Sequence, residues 1–113
     1  MVKRGDVYYA NLDPCIGSEQ KGHRPVVVIQ NDIGNMYSPT TIAAMITSSQ
    51  KKKLPTHVHV EDIESGLTKD SIVMLEQIRT IDKQRLCSMI GHVSDKTMAL
   101  IEDAALCSLG IVR

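Results

Sequence analysis

The sequence has no phenylalanine or tryptophan and only three tyrosines among its 113 residues. Proteins that bind single-stranded nucleic acid mainly by stacking its bases use exposed aromatic rings. Because aromatic rings are scarce in this chain, any recognition of unpaired bases must depend more on aliphatic side chains and backbone contacts. The 13 basic residues equal the 13 acidic ones in number. A net charge of zero argues against a general, histone-like binder of nucleic acid, which needs an excess of Lys and Arg.

Cysteines are few, and long apolar runs are missing. Three cysteines with no close pair offer neither a disulfide framework nor a zinc knuckle, and they fit a reducing compartment. No run approaches the roughly 18 apolar residues of a membrane span, and the first residues lack the apolar stretch of a signal peptide. We therefore expect a cytoplasmic protein that does not contact a membrane.

The size and composition predict one globular domain over residues 1–113. With 42% apolar and 23% charged residues, the chain resembles ordinary globular proteins and differs from disordered ones. A chain of this length buries roughly two-thirds of its extended surface. Charge is unevenly distributed, because residues 1–53 carry a net charge of +3 and residues 54–113 a net charge of −3. A local positive site is one interpretation, and chance segregation on a solvated surface is the other.

Short apolar runs separated by turn residues predict an antiparallel sheet. The run Val26 to Ile29 is entirely β-branched, which is typical of a strand buried on both faces. A terminal helix is indicated by a possible N-cap at Ser94, by Met98, Ile101, Ala105 and Leu109 at helical spacing, and by Gly110. A single helical turn is predicted at residues 82–84. The predicted strands cover residues 7–10, 26–29, 41–47, 56–60, 71–75 and 85–92. This pattern predicts a mainly β (α+β) fold, a small barrel of antiparallel strands with a C-terminal helix.

Several motifs favour structural over chemical roles. Gly17 to Gly22 has the glycine spacing of a P-loop, but the required Lys-Ser/Thr and the following helix are missing. His57 and His59 share a strand face without a third metal ligand, so we interpret them as exposed histidines.

Two further combinations receive structural interpretations. Cys87 and His92 lack an activating motif, and Cys87 is expected to be a buried thiol. Glu61, Asp62 and Glu64 look like a solvated turn rather than a catalytic pair of acids.

A more promising group comprises Glu19, His23, Arg24 and Thr47. Arg24 lies where a long polar loop meets the buried strand, so its guanidinium would be held in a fixed direction, which suits a phosphodiester. Glu19 is close enough along the chain to reach Arg24. A structural ion pair that closes the loop is the alternative to a catalytic role.

At these residues the sequence resembles the MazF/PemK family of toxin endoribonucleases, in particular its branch from Gram-positive bacteria. The matching strings are Lys3 to Tyr8, Gly17 to Gln20, Gly22 to Asp32, Ile46-Thr47, Leu54 to His57 and Leu75 to Leu86. The resemblance implies an SH3-like barrel of the MazF/Kid/CcdB type, assembled as a homodimer. It also implies a type II toxin that cleaves single-stranded mRNA without a metal or other cofactor. In that mechanism the ribose 2′-hydroxyl attacks the adjacent phosphorus, leaving a 2′,3′-cyclic phosphate and a 5′-hydroxyl.

The resemblance assigns catalytic roles to three residues. Arg24 matches the catalytic arginine, and Thr47 matches the threonine that holds the scissile phosphate. Because arginine stays protonated in proteins, Glu19 is the candidate acceptor of the 2′-proton, or else orients Arg24. His23 competes for that role, although alternation along a strand would point it away from Arg24.

The resemblance further implies the RNA contacts and a protein partner. The positions that match RNA-binding residues are Ser18, Gln20, Asn31, Leu54 and Gln77, and the expected site resembles U-A-C-A-U. Cys15 and Ile16 differ from some relatives, which bears on the cleavage sequence. A cognate MazE-like antitoxin would place an acidic amphipathic segment in the dimer groove and compete with RNA.

Two non-enzymatic alternatives share the barrel. A gyrase poison of this fold requires a C-terminal Trp-Gly-Ile, whereas this chain ends in Leu109-Gly-Ile-Val-Arg113. An SH3-like binding module would use Glu19 and Arg24 only as a structural pair, and would bind a peptide tightly without cleaving RNA.

Overall fold

A single six-stranded antiparallel sheet, with a helix packed on it, forms most of the protein. The computed structural model describes residues 1–14, 16, 17, 19, 22–48 and 53–112. The spatial order of the strands is β4-β5-β3-β2-β1-β6. The strands are β1 Asp6–Asn11, β2 His23–Val28, β3 Thr40–Thr47, β4 His57–Val60, β5 Ser71–Asp82 and β6 Leu86–His92. The helices are α1 Asp32–Tyr37, α2 Asp62–Ser65 and α3 Asp95–Leu109, and a 3₁₀ turn spans Lys83–Arg85.

The six predicted strands and the terminal helix are all present, as expected for the predicted mainly β fold. Val26, Val27 and Val28 are fully buried, because β2 lies inside the sheet and both of its faces are covered. Ser94 caps α3 by accepting a hydrogen bond from the Thr97 N–H, and Gly110 ends the helix in the left-handed conformation.

Apolar side chains pack on both faces of the sheet. The helix-side core combines Val27, Ala44 and Ile46 of the sheet with Met98 and Ile101 of α3. A second core lies on the opposite face, and its members are Tyr8, Ala10, Leu12, Val26, Val28, Ala43, Met45, Met74 and Ile81. Alternation along β3 therefore sends Ala44 and Ile46 to one core and Ala43 and Met45 to the other.

One expectation for α3 is wrong, and α1 is a helix that the sequence pattern does not predict. The helical spacing predicts Leu109 on the packed face of α3, but Leu109 is 64% exposed, because the buried face of the helix ends at Ala104. The segment 32–37 forms a helix that the apolar pattern does not reveal. Its N-cap is Asn31, whose side chain accepts a hydrogen bond from the Gly34 N–H at 2.8 Å.

β5 is longer than predicted and contains a bulge. Ala44 pairs with Ile78, whereas the next residue, Met45, pairs with Met74. The three residues Leu75, Glu76 and Gln77 therefore have no partner on β3. Such insertions bend a strand and redirect its side chains. The first half of β5 pairs with both β4 and β3, while the second half, beyond the bulge, pairs with β3 alone.

Glu64 is wrongly predicted as part of a solvated turn. It belongs to α2 and is half-buried, and its carboxylate accepts hydrogen bonds from the Ser94 N–H and from Thr97 Oγ1. Burial raises the pKa of Glu64, but the hydrogen bonds from Ser94 and Thr97 outweigh burial and hold the pKa below its ordinary value. Glu64 thus ties α2 to the start of α3.

We expect Glu64→Ala to lower the free energy of unfolding by about 1–2 kcal/mol, because two donors at the start of α3 lose their acceptor. Urea unfolding at neutral pH measures this difference. Because the folded-state pKa is lowered, the stabilisation is present above the unfolded value of about 4.3 and disappears as the pH falls through the folded value. Glu61→Ala is the matched control, since the Glu61 side chain makes no capping bond. Equal stability of both variants would contradict this role.

No helix in the described ranges is long and apolar enough to cross a membrane.

Candidate active site

An open cavity of about 290 Å³ lies where β2 and β3 end. Its lining contains cationic and hydroxyl side chains and, among the residues described, no carboxylate. Such a lining suits an anion, because guanidinium, ammonium and hydroxyl groups all donate hydrogen bonds to phosphate oxygens. The polar side chains of this cavity, hereafter the Arg24 cavity, are Tyr9, Arg24, Thr47, Ser48, Thr68, Lys69 and Ser71.

Strand register places Arg24 beside Thr47. Val26 of β2 pairs with Met45 of β3, so the same antiparallel register, continued by two residues, sets Arg24 opposite Thr47. On its other side, Arg24 pairs with Ala10 of β1. Arg24 is exposed, whereas Thr47 is only 5% exposed. A guanidinium accessible to solvent and a fixed hydroxyl therefore lie at the same cavity.

Glu19 lines a different cavity from Arg24. This second cavity, of about 220 Å³, is formed by Glu19, Met45, Glu76, Gln77, Ile78 and Arg79, and is hereafter the Glu19 cavity. Glu19 Oε1 accepts a hydrogen bond from the Ile16 N–H at 2.7 Å. Met45 and Thr47 lie on the same face of β3, two residues apart. Residues two apart on a strand have Cα atoms about 7 Å from each other, so the two cavities border neighbouring positions of β3.

The bulge in β5 places Glu76 and Gln77 at the Glu19 cavity. The Glu76 carboxylate accepts hydrogen bonds from Thr56 Oγ1 and from His57 Nε2, both at 2.9 Å. Burial raises the pKa of Glu76, but the hydrogen bond from His57, together with those from its own backbone and Thr56, holds the pKa below its ordinary value. Glu76 is thus a fixed, ionised acceptor next to Gln77.

The expectation that both strand histidines are exposed is wrong for His57. His57 is 5% exposed, and its Nδ1 accepts a hydrogen bond from the Leu54 N–H at 3.3 Å. The ring proton therefore lies on Nε2, which donates to Glu76. His59 is exposed, as predicted. Among the residues that the structure describes, no group of three or more His, Cys, Asp and Glu side chains could hold a metal ion.

Two predicted RNA-binding residues lie outside both cavities. Leu54 is 44% exposed and lines a separate groove with His57 and Leu100. Asn31 caps α1 beyond the far end of β2, about 23 Å along the chain from Arg24 if extended. Ser18 and Gln20 are not among the described residues, and neither is Cys15. Within one chain, the structure therefore brings together Arg24 with Thr47 and, separately, Glu19 with Gln77.

His23 and Cys87 form a contact that the sequence did not suggest. His23 pairs with Asn11, and as the neighbour of Arg24 on an extended strand it points to the opposite face. Its Nε2 lies 3.9 Å from Cys87 Sγ. Cys87 is exposed, so the expectation of a buried thiol is wrong, because edge strand β6 leaves that side uncovered. His92, the other partner considered for Cys87, is hydrogen-bonded through Nδ1 to Asp6 Oδ1 at 2.8 Å instead.

Sequence reasoning missed Lys69 and Glu76. Lys69 lies in the segment 66–70 between α2 and β5, where nothing distinguishes it from other loop lysines. Glu76 was not singled out because the bulge that exposes it leaves no simple pattern in the sequence. Only the folded sheet shows that these two residues lie beside Arg24 and Glu19 respectively.

Comparison with known proteins shows the family of this chain. Residues 3–109 match the family described as "PemK-like, MazF-like toxin of type II toxin-antitoxin system". The chain is 56% identical to "Endoribonuclease EndoA" of Bacillus subtilis (strain 168) over 113 residues, which cover 99% of this chain and 97% of that protein.

Two solved structures share the fold. An endoribonuclease from a mycobacterial species, solved in complex with its cognate antitoxin, superposes with a TM-score of 0.84 at 26% identity, covering 100% of this chain and 99% of that one. MazF from Deinococcus radiodurans superposes with a TM-score of 0.82 at 22% identity and 97% coverage of each chain. With its six-stranded antiparallel sheet and its match from residue 3 to residue 109, the chain belongs to the PemK-like, MazF-like toxins of type II toxin–antitoxin systems.

Proposed function

We propose that this toxin cleaves single-stranded mRNA in the cytoplasm without a metal ion, using the substrate's own 2′-hydroxyl as the nucleophile. Its family and its Bacillus subtilis relative make it an endoribonuclease. The observation that carries the proposed mechanism is the Arg24 cavity, in which Arg24 and Thr47 face each other and no carboxylate occurs among the described lining residues. A phosphodiester is the anion that such an enzyme must hold.

In the proposed mechanism, Arg24 and Thr47 hold the scissile phosphate. Attack by the 2′-oxygen gathers negative charge on the phosphoryl oxygens, and the guanidinium donates hydrogen bonds to them. The Thr47 hydroxyl donates a further hydrogen bond and fixes the phosphate in line with the attacking oxygen. The 2′-oxygen loses its proton as it forms a bond to phosphorus, and the bond between phosphorus and the 5′-oxygen breaks. The departing 5′-oxygen takes up a proton from solvent, so the products are a 2′,3′-cyclic phosphate and a 5′-hydroxyl.

The adjacent Glu19 cavity would receive the neighbouring nucleotide. Glu19, Glu76 and Gln77 offer carboxylate and amide groups, which form hydrogen bonds with the edges of unstacked bases. We propose that Gln77, together with Ser18, Gln20, Asn31 and Leu54, selects a sequence similar to U-A-C-A-U. Cleavage of an RNA library followed by sequencing of the new ends tests this specificity, and cuts without sequence preference would contradict it.

We propose Glu19 as the acceptor of the 2′-proton. Its cavity adjoins the Arg24 cavity, and catalytic contacts are often longer in a free enzyme than in its substrate complex. We expect Glu19→Gln to lower kcat by about 100-fold, the lower range for loss of a general base. Single-turnover cleavage of a labelled oligonucleotide measures this. Glutamine keeps an oxygen to accept the Ile16 N–H, so a purely structural role would leave kcat unchanged. Full activity of Glu19→Gln would therefore exclude Glu19 as the base.

We further propose that the toxin is a homodimer and that a cognate MazE-like antitoxin inhibits it. The mycobacterial structural neighbour is described in complex with its cognate antitoxin. The net charge of +3 in residues 1–53, which include Arg24, would attract an acidic antitoxin segment. Sedimentation equilibrium tests the dimer. Competition between an acidic antitoxin peptide and labelled RNA tests the shared surface, and simultaneous binding of both would contradict it.

A further inference from the structure

Lys69 is a second cation at the Arg24 cavity, and it enters from the opposite side. Arg24 belongs to β2, Thr47 to the adjacent β3, and Lys69 to the segment that leads into β5, the next strand in the sheet. Two strand spacings separate β2 from β5, which amounts to about 10 Å. Lys69 also lies three residues before Ile72, the partner of Thr47. The backbones of the two cations are thus well separated, with Thr47 between them.

The main chain at Lys69 is held in place, while its ammonium group has no anionic partner among the residues that the structure describes. The buried Ser71 hydroxyl donates a hydrogen bond to the Lys69 carbonyl at 3.0 Å. The adjacent Asp70 is occupied elsewhere, because it accepts a hydrogen bond from the Asp62 N–H and faces His59 at 3.7 Å. Within the described ranges of the chain, Lys69 forms no salt bridge. An exposed ammonium at a cavity without described carboxylates is available to an external anion.

We propose that Lys69 forms a second phosphate subsite, which binds a phosphate next to the scissile one along the RNA. This inference rests on the proposed function, because the scissile phosphate is assigned to Arg24 and Thr47. The separation of the two backbones, with Thr47 between them, leaves room for two successive phosphates. Lysine binds phosphate as a point charge without the directional fork of arginine, which suits a contact that anchors the strand. Lys69 is therefore a binding residue rather than part of the reacting centre.

The first test separates binding from chemistry. We expect Lys69→Ala to raise KM about fivefold and to change kcat less than twofold, as for loss of one partly exposed charge contact. Lys69→Arg should restore KM. Lys96→Ala is the matched control, since Lys96 is exposed on α3 and does not line the cavity. A large loss of kcat with unchanged KM would place Lys69 on the reacting phosphate and overturn the subsite. A change in KM equal to that of Lys96→Ala would also overturn it, because the effect would then not depend on the cavity.

The second test identifies the phosphate. In a substrate series, each phosphate flanking the cleavage site is replaced in turn by an uncharged methylphosphonate. One replacement should raise KM in the parent protein and have no further effect in Lys69→Ala, because the same contact is already lost. Independent, additive effects at both flanking phosphates would overturn the proposal.

Binding without cleavage distinguishes failure of this inference from failure of the proposed function. The probe is the U-A-C-A-U oligonucleotide with 2′-deoxyribose at the attacking position. We expect the slope of log K against log salt concentration to be shallower by about 0.7 in Lys69→Ala, the value for one phosphate contact on a single strand. If the slopes of the parent protein and Lys69→Ala differ by this amount but the parent protein does not cleave the all-ribose RNA, the proposed function fails and the subsite stands. If RNA is cleaved but the slopes are equal, only the subsite fails.

Discussion

Replacing Arg24 by alanine is expected to lower kcat for RNA cleavage by about 1,000-fold. The guanidinium is the group in its cavity that can donate two parallel hydrogen bonds to phosphoryl oxygens, and removal of a single transition-state donor already costs 10²–10³ in kcat in comparable sites. The effect should fall mainly on kcat, because the charge on those oxygens increases as the 2′-oxygen attacks. Single-turnover cleavage of a labelled U-A-C-A-U oligonucleotide measures it.

The controls for this substitution follow from the position of Arg24. Its side chain is exposed at the start of β2, so Arg24→Ala should change the free energy of unfolding by only about 0.5 kcal/mol. Arg24→Lys keeps the positive charge but loses the planar pair of donors, and we expect it to recover only part of the activity. If Arg24→Ala cleaves as fast as the parent protein, the site has been assigned to the wrong residues.

The sheet and terminal helix could be predicted because their signals are local. The β-branched run at Val26 to Val28 and the capping residues Ser94 and Gly110 act within a few positions of themselves in the sequence. α1 was not predicted, because it is too short for a helical apolar repeat. Its capping residue, Asn31, is also one of the positions that the resemblance assigns to RNA binding.

The candidate site was only partly predictable, for a physical reason. Thr47 ends one predicted strand and Arg24 lies two residues before another, so the pairing of β2 with β3 was enough to bring them together. Glu76 depends on a three-residue bulge, and Lys69 depends on where a loop crosses the sheet edge. Both positions depend on how distant segments pack in the folded protein, which no short stretch of sequence encodes. The same holds for Glu64, whose partners at Ser94 and Thr97 lie about 30 residues away.

Removing one hydroxyl group from the substrate is expected to abolish cleavage altogether. With 2′-deoxyribose only at the nucleotide 5′ to the scissile phosphate, the proposed nucleophile is missing while every other contact with the protein is kept. A deoxy substitution at the following nucleotide is the matched control and should leave cleavage intact. The DNA copy should compete for binding without being cut.

The products and the effect of chelators provide independent checks of the same chemistry. Mass spectrometry should find a 2′,3′-cyclic phosphate on one fragment and a 5′-hydroxyl on the other, and EDTA should leave the rate unchanged. Continued cutting of the deoxy substrate would require water as the nucleophile, and loss of activity in EDTA would require a metal ion. Arg24 and Thr47 can hold a phosphodiester whichever oxygen attacks it, so variants of these residues do not identify the nucleophile. The deoxy substrate does, because it removes only the 2′-oxygen.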